Sequence, residues 1–319
     1  MKLLKFFCCT FLKGMSKNIL TTTSVESFGV KNMIQHNTVK DLLGLTMLVY
    51  DYSKKFTLNE DETIESFVNK NENTKNDDIN LEITDERKDV LEKLSKTSPH
   101  GQVVKFISDK KTDIQVGVTI SELNKRISVI FRGSESKSDW YYDLMVLKRQ
   151  ILPNIYNDVW VHSGFYYQLH ETDVYSKLVE TVKGLKKEYP EYNIYITGHS
   201  LGAALSTLFG FELSHEIESD ITVISFASPR IGNYGFRKAF DSKDNLVHYR
   251  VSNDRDIVTA GPMINFHHVG MNIALDEDKC EFFTKYDYNG WMKFSLFNCW
   301  RVSDHNVDLY YTRLCKHTW

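Results

Sequence analysis

The sequence predicts an α/β domain: a mostly parallel central sheet with helices on both faces, preceded by an N-terminal antiparallel meander. Three observations predict it. From Gln168 onward, segments with apolar residues three and four apart alternate with short branched apolar runs, the pattern of βα units. Ahead of Arg132, three runs alternate like antiparallel strands between charged or polar turns. Between a strand and a helix near the middle of the chain sits GHSLG, residues 198–202.

The chain has 319 residues, 42% hydrophobic and 25% charged, enough for one large domain with an N-terminal extension. A net charge of -3 leaves no basic footprint for nucleic acid, which sets that class of partner aside. No run of about 18 apolar residues is present, so no segment reads as a membrane-spanning helix.

Residues 1–38 read as an extension. Met1–Leu12 has a positive start and an apolar run from Phe6 to Leu12, but no small-x-small cleavage site follows. A surface-lying anchor or a plain unstructured end fits it better than a cleaved signal, and the compartment stays open between secretion and a membrane surface. Residues 39–319 read as a single domain. Val39–Lys54 is a helix packed on that domain, and the stretch from Thr57 to Asp85 is a solvated insertion, with nine acidic residues against two lysines. A short helix is expected over Glu86–Lys96. The strands of the meander are Val103–Ile107, Ile114–Ile120 and Ile127–Phe131. Gln168–Tyr189 is an amphipathic helix stopped by Pro190. Ile194–Thr197 is a strand and Leu201–Leu213 a buried helix. Ile221–Ala227 is a continuous apolar run suited to a central parallel strand. A helix over Tyr234–Phe240 and strands over Leu246–Ser252 and Val269–Leu275 complete the pattern.

Five cysteines, Cys8, Cys9, Cys280, Cys299 and Cys315, show no metal-ligand spacing, and an odd count argues against a full disulfide framework. Reduced thiols are the default. Cys280 is able to pair with Cys299 or Cys315 only if the chain is exported.

A G-x-S-x-G between strand and helix places its serine on a sharp, strained turn. Gly198 and Gly202 keep the flanks free of side chains, and Ser200 is expected to be presented above the sheet edge rather than buried. A free hydroxyl is a poor nucleophile at neutral pH and needs a base. In an open α/β sheet the groups that meet at a site come from loops after the carboxyl ends of strands. Asp256 and Asp254 share such a loop, and either is placed to orient a histidine. His267 and His268 precede their strand and read as packing residues; His317 lies near the chain end. His305, in a loop ahead of a terminal helix, is the better base. An oxyanion formed at the site needs two donors. The N–H of Leu201 supplies one, and Ser134, at the end of ISVIF, offers another.

With FRGS, GHSLGAAL, DRDIV and DH in this order, the chain resembles the class 3, fungal-type lipases of the α/β-hydrolases. VHSGF at 161–165, FASPRIGN at 226–233, SDWYYDLM at 138–145 and HVG at 268–270 are similar to smaller family elements. The similarity covers about two thirds of the chain, from Gly101 to Tyr310. The resemblance implies Ser200 as nucleophile, Asp256 as acid in preference to Asp254, His305 as base, and Ser134 with Leu201 as oxyanion hole. It implies a lid within Ser134–Trp140, and no metal or organic cofactor. It implies a lipid ester substrate met at a transient lipid interface. A tri- or partial acylglycerol leads; a phospholipase A1-like or general esterase activity is the alternative, and a module that binds lipid or protein without turnover is the rival from another class. The sequence departs from the family where Thr259 replaces the usual proline after D-I-V.

Overall fold

Branched side chains fit a pleated surface, and Val116, Val118, Ile127, Val129, Ile194, Ile196, Ile221 and Val223 are all buried in adjacent strands. The computed structural model describes residues 33–58, 63, 66–67, 100–134, 147–283 and 301–319. Its main sheet has eight strands in the order β1-β2-β3-β6-β7-β8-β9-β10. They are β1 (Gln102–Asp109), β2 (Ile114–Ser121), β3 (Arg126–Phe131), β6 (Asn193–His199), β7 (Ile221–Phe226), β8 (Leu246–Asn253), β9 (Met271–Leu275) and β10 (Cys280–Phe283). β1 to β3 form the expected antiparallel meander. β3, β6, β7, β8 and β9 then pair in parallel. β10 closes the sheet antiparallel to β9. A separate hairpin joins β4 (Lys148–Gln150) to β5 (Trp160–His162).

Two apolar layers sandwich the sheet. One face is covered by α1 (His36–Leu48) and α6 (Val307–Lys316), whose Val39, Leu42, Leu43, Tyr310 and Leu314 join Ile130, Ile224, Val251 and Ile273 in one cluster. The other is covered by α2 (Ser163–His170), α3 (Val174–Glu188), α4 (Leu201–Leu213) and α5 (Tyr234–Asp241). This double cover explains why β3 is buried at all six positions although it belongs to the meander: with helices on both faces, neither side of the strand meets water. α4 is buried along its whole length, with Gly210 close enough to Val223 for the helix to lie directly on the sheet.

Several elements differ from the sequence reading. α1 starts at His36, inside the stretch read as an extension, and ends at Leu48 rather than Lys54. The Gln168–Tyr189 segment is two helices, α2 and α3, broken over 171–173 ahead of Val174. The β4–β5 hairpin and β10 were not foreseen, because three or four residues of mixed polarity carry too little periodicity to register. Cys280 and Cys315 are free thiols. Cys280 is half-buried, and burial pushes its pKa up to about 12, which favours the protonated thiol. Cys8, Cys9, Cys299, the Glu86–Lys96 helix and the SDWYYDLM segment lie outside the described residues, as do nearly all of the extension, of the acidic insertion and of the lid stretch. Among the described residues no helix is long and apolar enough to cross a membrane.

Candidate active site

The parallel register carries the end of β3 to the side of the turn at Ser200. Phe131 on β3 lies opposite Gly198 on β6, and His199 lies opposite Phe226 on β7. The chain therefore leaves β3 through Arg132, Gly133 and Ser134 directly beside Ser200. Ser200 has φ 60° and ψ -122°, a left-handed conformation that non-glycine residues rarely adopt. Its side chain makes no capping bond to α4, so a plain helix-capping role is excluded. The turn closes because its flanks are bare. A Cβ at Gly202 would overlap the Phe131 carbonyl oxygen and lie 2.8 Å from the Arg132 carbonyl carbon. Gly202→Ala is thus expected to lower stability by about 3 kcal/mol or more, measured by thermal or denaturant unfolding.

Ser200 itself is only 6% exposed, contrary to the expectation of a presented serine. The same bare flanks that sharpen the turn let the backbone settle against β3 and its exit loop, and the His305 ring lies over the hydroxyl. The Ser200 hydroxyl faces a side chain rather than solvent.

The Ser200 hydroxyl is 2.7 Å from His305 Nε2. His305 Nδ1 is 3.0 Å from Asp256 Oδ2 and 3.1 Å from Oδ1. Since a carboxylate only accepts, Nδ1 carries the hydrogen, and in the neutral ring Nε2 is then the acceptor that faces the serine. Asp256 is fully buried and also accepts from the Tyr310 hydroxyl at 2.6 Å and from the Val258 N–H at 2.9 Å. Asp254, its rival in the same loop, is exposed. Both Asp256 and His305 are held from several sides. The 3-10 turn Val302–His305 carries the histidine, and its Asp304 pairs with Arg313 of α6 at 3.0 Å in a buried ion pair. The Asp304 carbonyl accepts from the Asn253 side chain at 2.8 Å. After Asp256, Thr259 Oγ1 donates back to the Asp256 carbonyl, and His268 donates to the Thr259 carbonyl. His268 thus braces the acid loop without touching Ser200, the packing role its position before β9 suggested.

The remaining family-like segments act as struts. His162 caps α2 by accepting from the Gly164 N–H. Arg230 donates to the carbonyls of Ala260 and Pro262, and Asn233 caps α5 while accepting from the Trp160 N–H. They fix the loops on one side of the site.

The structure brings Ser200, His305 and Asp256 together, with Leu201, Gly198 and Gly202 in the same turn and Ser134 in the loop after β3; sequence reading did not include Tyr310. That residue is wholly buried on α6, and burial together with the Asp256 carboxylate raises its pKa well above that of a free phenol, so it stays a donor. Its position five residues past His305 on an amphipathic helix was the available signal. Tyr310→Phe keeps the ring and removes the donor. A loss of about tenfold in kcat is expected, with a stability loss of ~1–2 kcal/mol, measured by ester kinetics and unfolding on the same preparation.

Residues 128–266 match the family described as Lipase (class 3). Among characterised proteins the chain is 31% identical over 171 residues to phospholipase A1-II 1 of Oryza sativa subsp. indica, covering 48% of this chain and 44% of that protein. It is 31% identical over 186 residues to a lipase of Rhizomucor miehei, covering 56% of this chain and 50% of that protein. The chain thus spans about half the length of the curated relatives it matches. Among solved structures, the Rhizomucor miehei triacylglyceride lipase superposes with a TM-score of 0.65 at 22% identity, covering 91% of this chain and 96% of that one. The lipase of Rhizopus microsporus var. chinensis gives 0.66 at 22% identity, covering 91% and 90%. These two structures share the fold.

Proposed function

We propose, from the premise that residues 128–266 belong to the class 3 lipase family, that the chain is a serine carboxylic-ester hydrolase acting on lipid acyl esters. One observation carries the reading: the continuous set of hydrogen bonds from Ser200 through His305 to the buried Asp256. In the first half-reaction Ser200 Oγ attacks the acyl carbonyl carbon while its proton passes to His305 Nε2. The C–O bond to the alcohol then breaks, His305 returns the proton to the departing oxygen, and the acyl group remains on Ser200. Water, deprotonated by His305, attacks that ester, and the acid is released as Ser200 regains its proton. Asp256 holds the ring and stabilises the imidazolium of each step without taking the proton. The oxyanion is received by the Leu201 N–H and by Ser134, beside the nucleophile. No step calls on a metal or organic cofactor.

Two head-group classes fit, and the relatives divide between them. An acylglycerol is favoured by the Rhizomucor miehei triacylglyceride lipase, and a phospholipid cleaved as by a phospholipase A1 is favoured equally by the Oryza sativa protein. The test is the rate of fatty acid release from matched triacylglycerol, diacylglycerol and phosphatidylcholine, each below and above aggregation. Faster release from glycerides makes the protein a lipase; faster sn-1 release from phosphatidylcholine makes it a phospholipase A1. A smooth rate on dispersed short esters alone makes it an esterase. No release from any of them, and no labelling of Ser200 by a serine-reactive fluorophosphonate, returns it to a binding module.

A further inference from the structure

His199, the last residue of β6, is 5% exposed and sits next to the nucleophile. Its Nε2 is 2.9 Å from the main-chain carbonyl oxygen of His305, and its ring lies 4.7 Å from the His305 ring. A carbonyl only accepts, so Nε2 carries the hydrogen, and in the neutral ring Nδ1 is an acceptor. The group facing Nδ1 is the hydroxyl of Tyr50, at 3.2 Å. Tyr50 therefore donates to His199. Its oxygen also packs against Gly133 in the loop after β3. Position 133 is where these groups converge: a Cβ there would overlap the Tyr50 hydroxyl and lie 2.6 Å from the His199 carbonyl oxygen and 3.3 Å from Ser200 Cβ. Tyr50 lies just beyond α1, and that helix is itself tied to β6 by Thr46 Oγ1, 3.1 Å from Thr197 Oγ1.

We propose that Tyr50 and His199 are positioning residues: a hydrogen-bonded relay from the Tyr50 hydroxyl through His199 to the His305 carbonyl, with that hydroxyl seated against Gly133, sets the oxyanion-side loop and the base in register about Ser200. The inference rests on the hydrolase reading of the site. Three separate loops must meet there, after β3, after β6 and ahead of α6, and chain connectivity alone does not fix their spacing. The relay joins all three through two side chains that sit behind the nucleophile. His199 is buried and Tyr50 half-buried, so the two bonds are partly shielded from water, where a hydrogen bond is stronger than in bulk solvent. Misplacing an oxyanion donor or a base by even an ångström costs rate with little change in substrate binding.

The experiment is steady-state kinetics on a soluble short-chain p-nitrophenyl ester, with thermal unfolding in parallel, for wild type, Tyr50→Phe, His199→Gln, His199→Ala and the Tyr50→Phe/His199→Ala double variant. His199→Gln presents an amide N–H near the position of Nε2, keeping the bond to His305 and losing the one to Tyr50. The relay predicts that Tyr50→Phe and His199→Gln each lower kcat by roughly tenfold with KM changed less than about twofold. It also predicts that the double variant falls within about threefold of His199→Ala alone, because the two residues act as one unit. Tyr50→Phe with unchanged kcat and a lowered Tm would reduce the tyrosine to packing and overturn the proposal. So would single losses that multiply in the double variant. A wild-type chain that turns over no ester overturns the hydrolase reading and the relay with it, whereas an active wild type matched by Tyr50→Phe overturns the relay alone.

Discussion

Ser200→Ala is expected to abolish ester hydrolysis, with a loss of roughly 10⁴-fold or more in kcat and almost none in stability. The substitution removes one oxygen and keeps the Cβ, so the packing of the turn survives. The hydroxyl it removes caps nothing and contacts His305 Nε2 at 2.7 Å. With no oxygen at that place His305 has no proton to accept, and water would have to attack from a position the protein does not define. Activity on a soluble ester, set beside circular dichroism and thermal unfolding, checks the prediction. A retained fold with lost turnover is the expected pairing. Turnover surviving at more than a few per cent would mean that Ser200 is not the nucleophile.

The second large effect separates two neighbouring carboxylates. Asp256→Asn is expected to lower kcat by about 10⁴-fold, and Asp254→Asn by less than twofold. The difference lies in what each touches. Asp256 is fully buried and accepts from His305, Tyr310 and the Val258 N–H. An amide there would turn a donor toward one of these donors, or reverse the His305 tautomer so that Nε2 no longer accepts from Ser200. Asp254 is exposed; its backbone N–H donates to the Leu275 carbonyl and its carboxylate interacts with the Lys279 ammonium, away from His305. Its carboxylate is solvated, and neutralising it leaves the site intact. Equal losses in the two variants would remove the structural ground for choosing Asp256.

Much of this arrangement was legible in the sequence because the relevant signals are local. The strand, sharp turn and helix around GHSLG are contiguous, so Leu201–Leu213 was placed to the residue, and β7 and β8 within one. The rule that site groups follow the carboxyl ends of parallel strands selected the Asp254–Asp256 loop, and the position of His305 ahead of a terminal helix separated it from His267 and His268. What escaped was either short or distant. β4, β5 and β10 are three or four residues long, and strands of that length are defined by their partners rather than their own pattern. Tyr50, just beyond α1, and Tyr310, on α6, lie 150 and 110 positions from Ser200 along the chain, and only the amphipathic pattern around Tyr310 hinted at an inward-facing ring. His199 lay inside the motif but was read only as its variable position. The burial of Ser200 was missed for a different reason: a strained turn implies a projecting side chain, but not which groups lie over it.

The central claim is that ester cleavage passes through an acyl group on Ser200. It is tested most directly by mixing the protein with a slow-deacylating p-nitrophenyl ester, quenching in acid during the first turnover, and mapping the adduct by peptide mass. The structure leads us to expect a burst of p-nitrophenolate close to one equivalent per chain and an added acyl mass on the peptide containing Ser200, both absent from Ser200→Ala. Turnover with no adduct, or an adduct that maps to another residue and persists in Ser200→Ala, would contradict it.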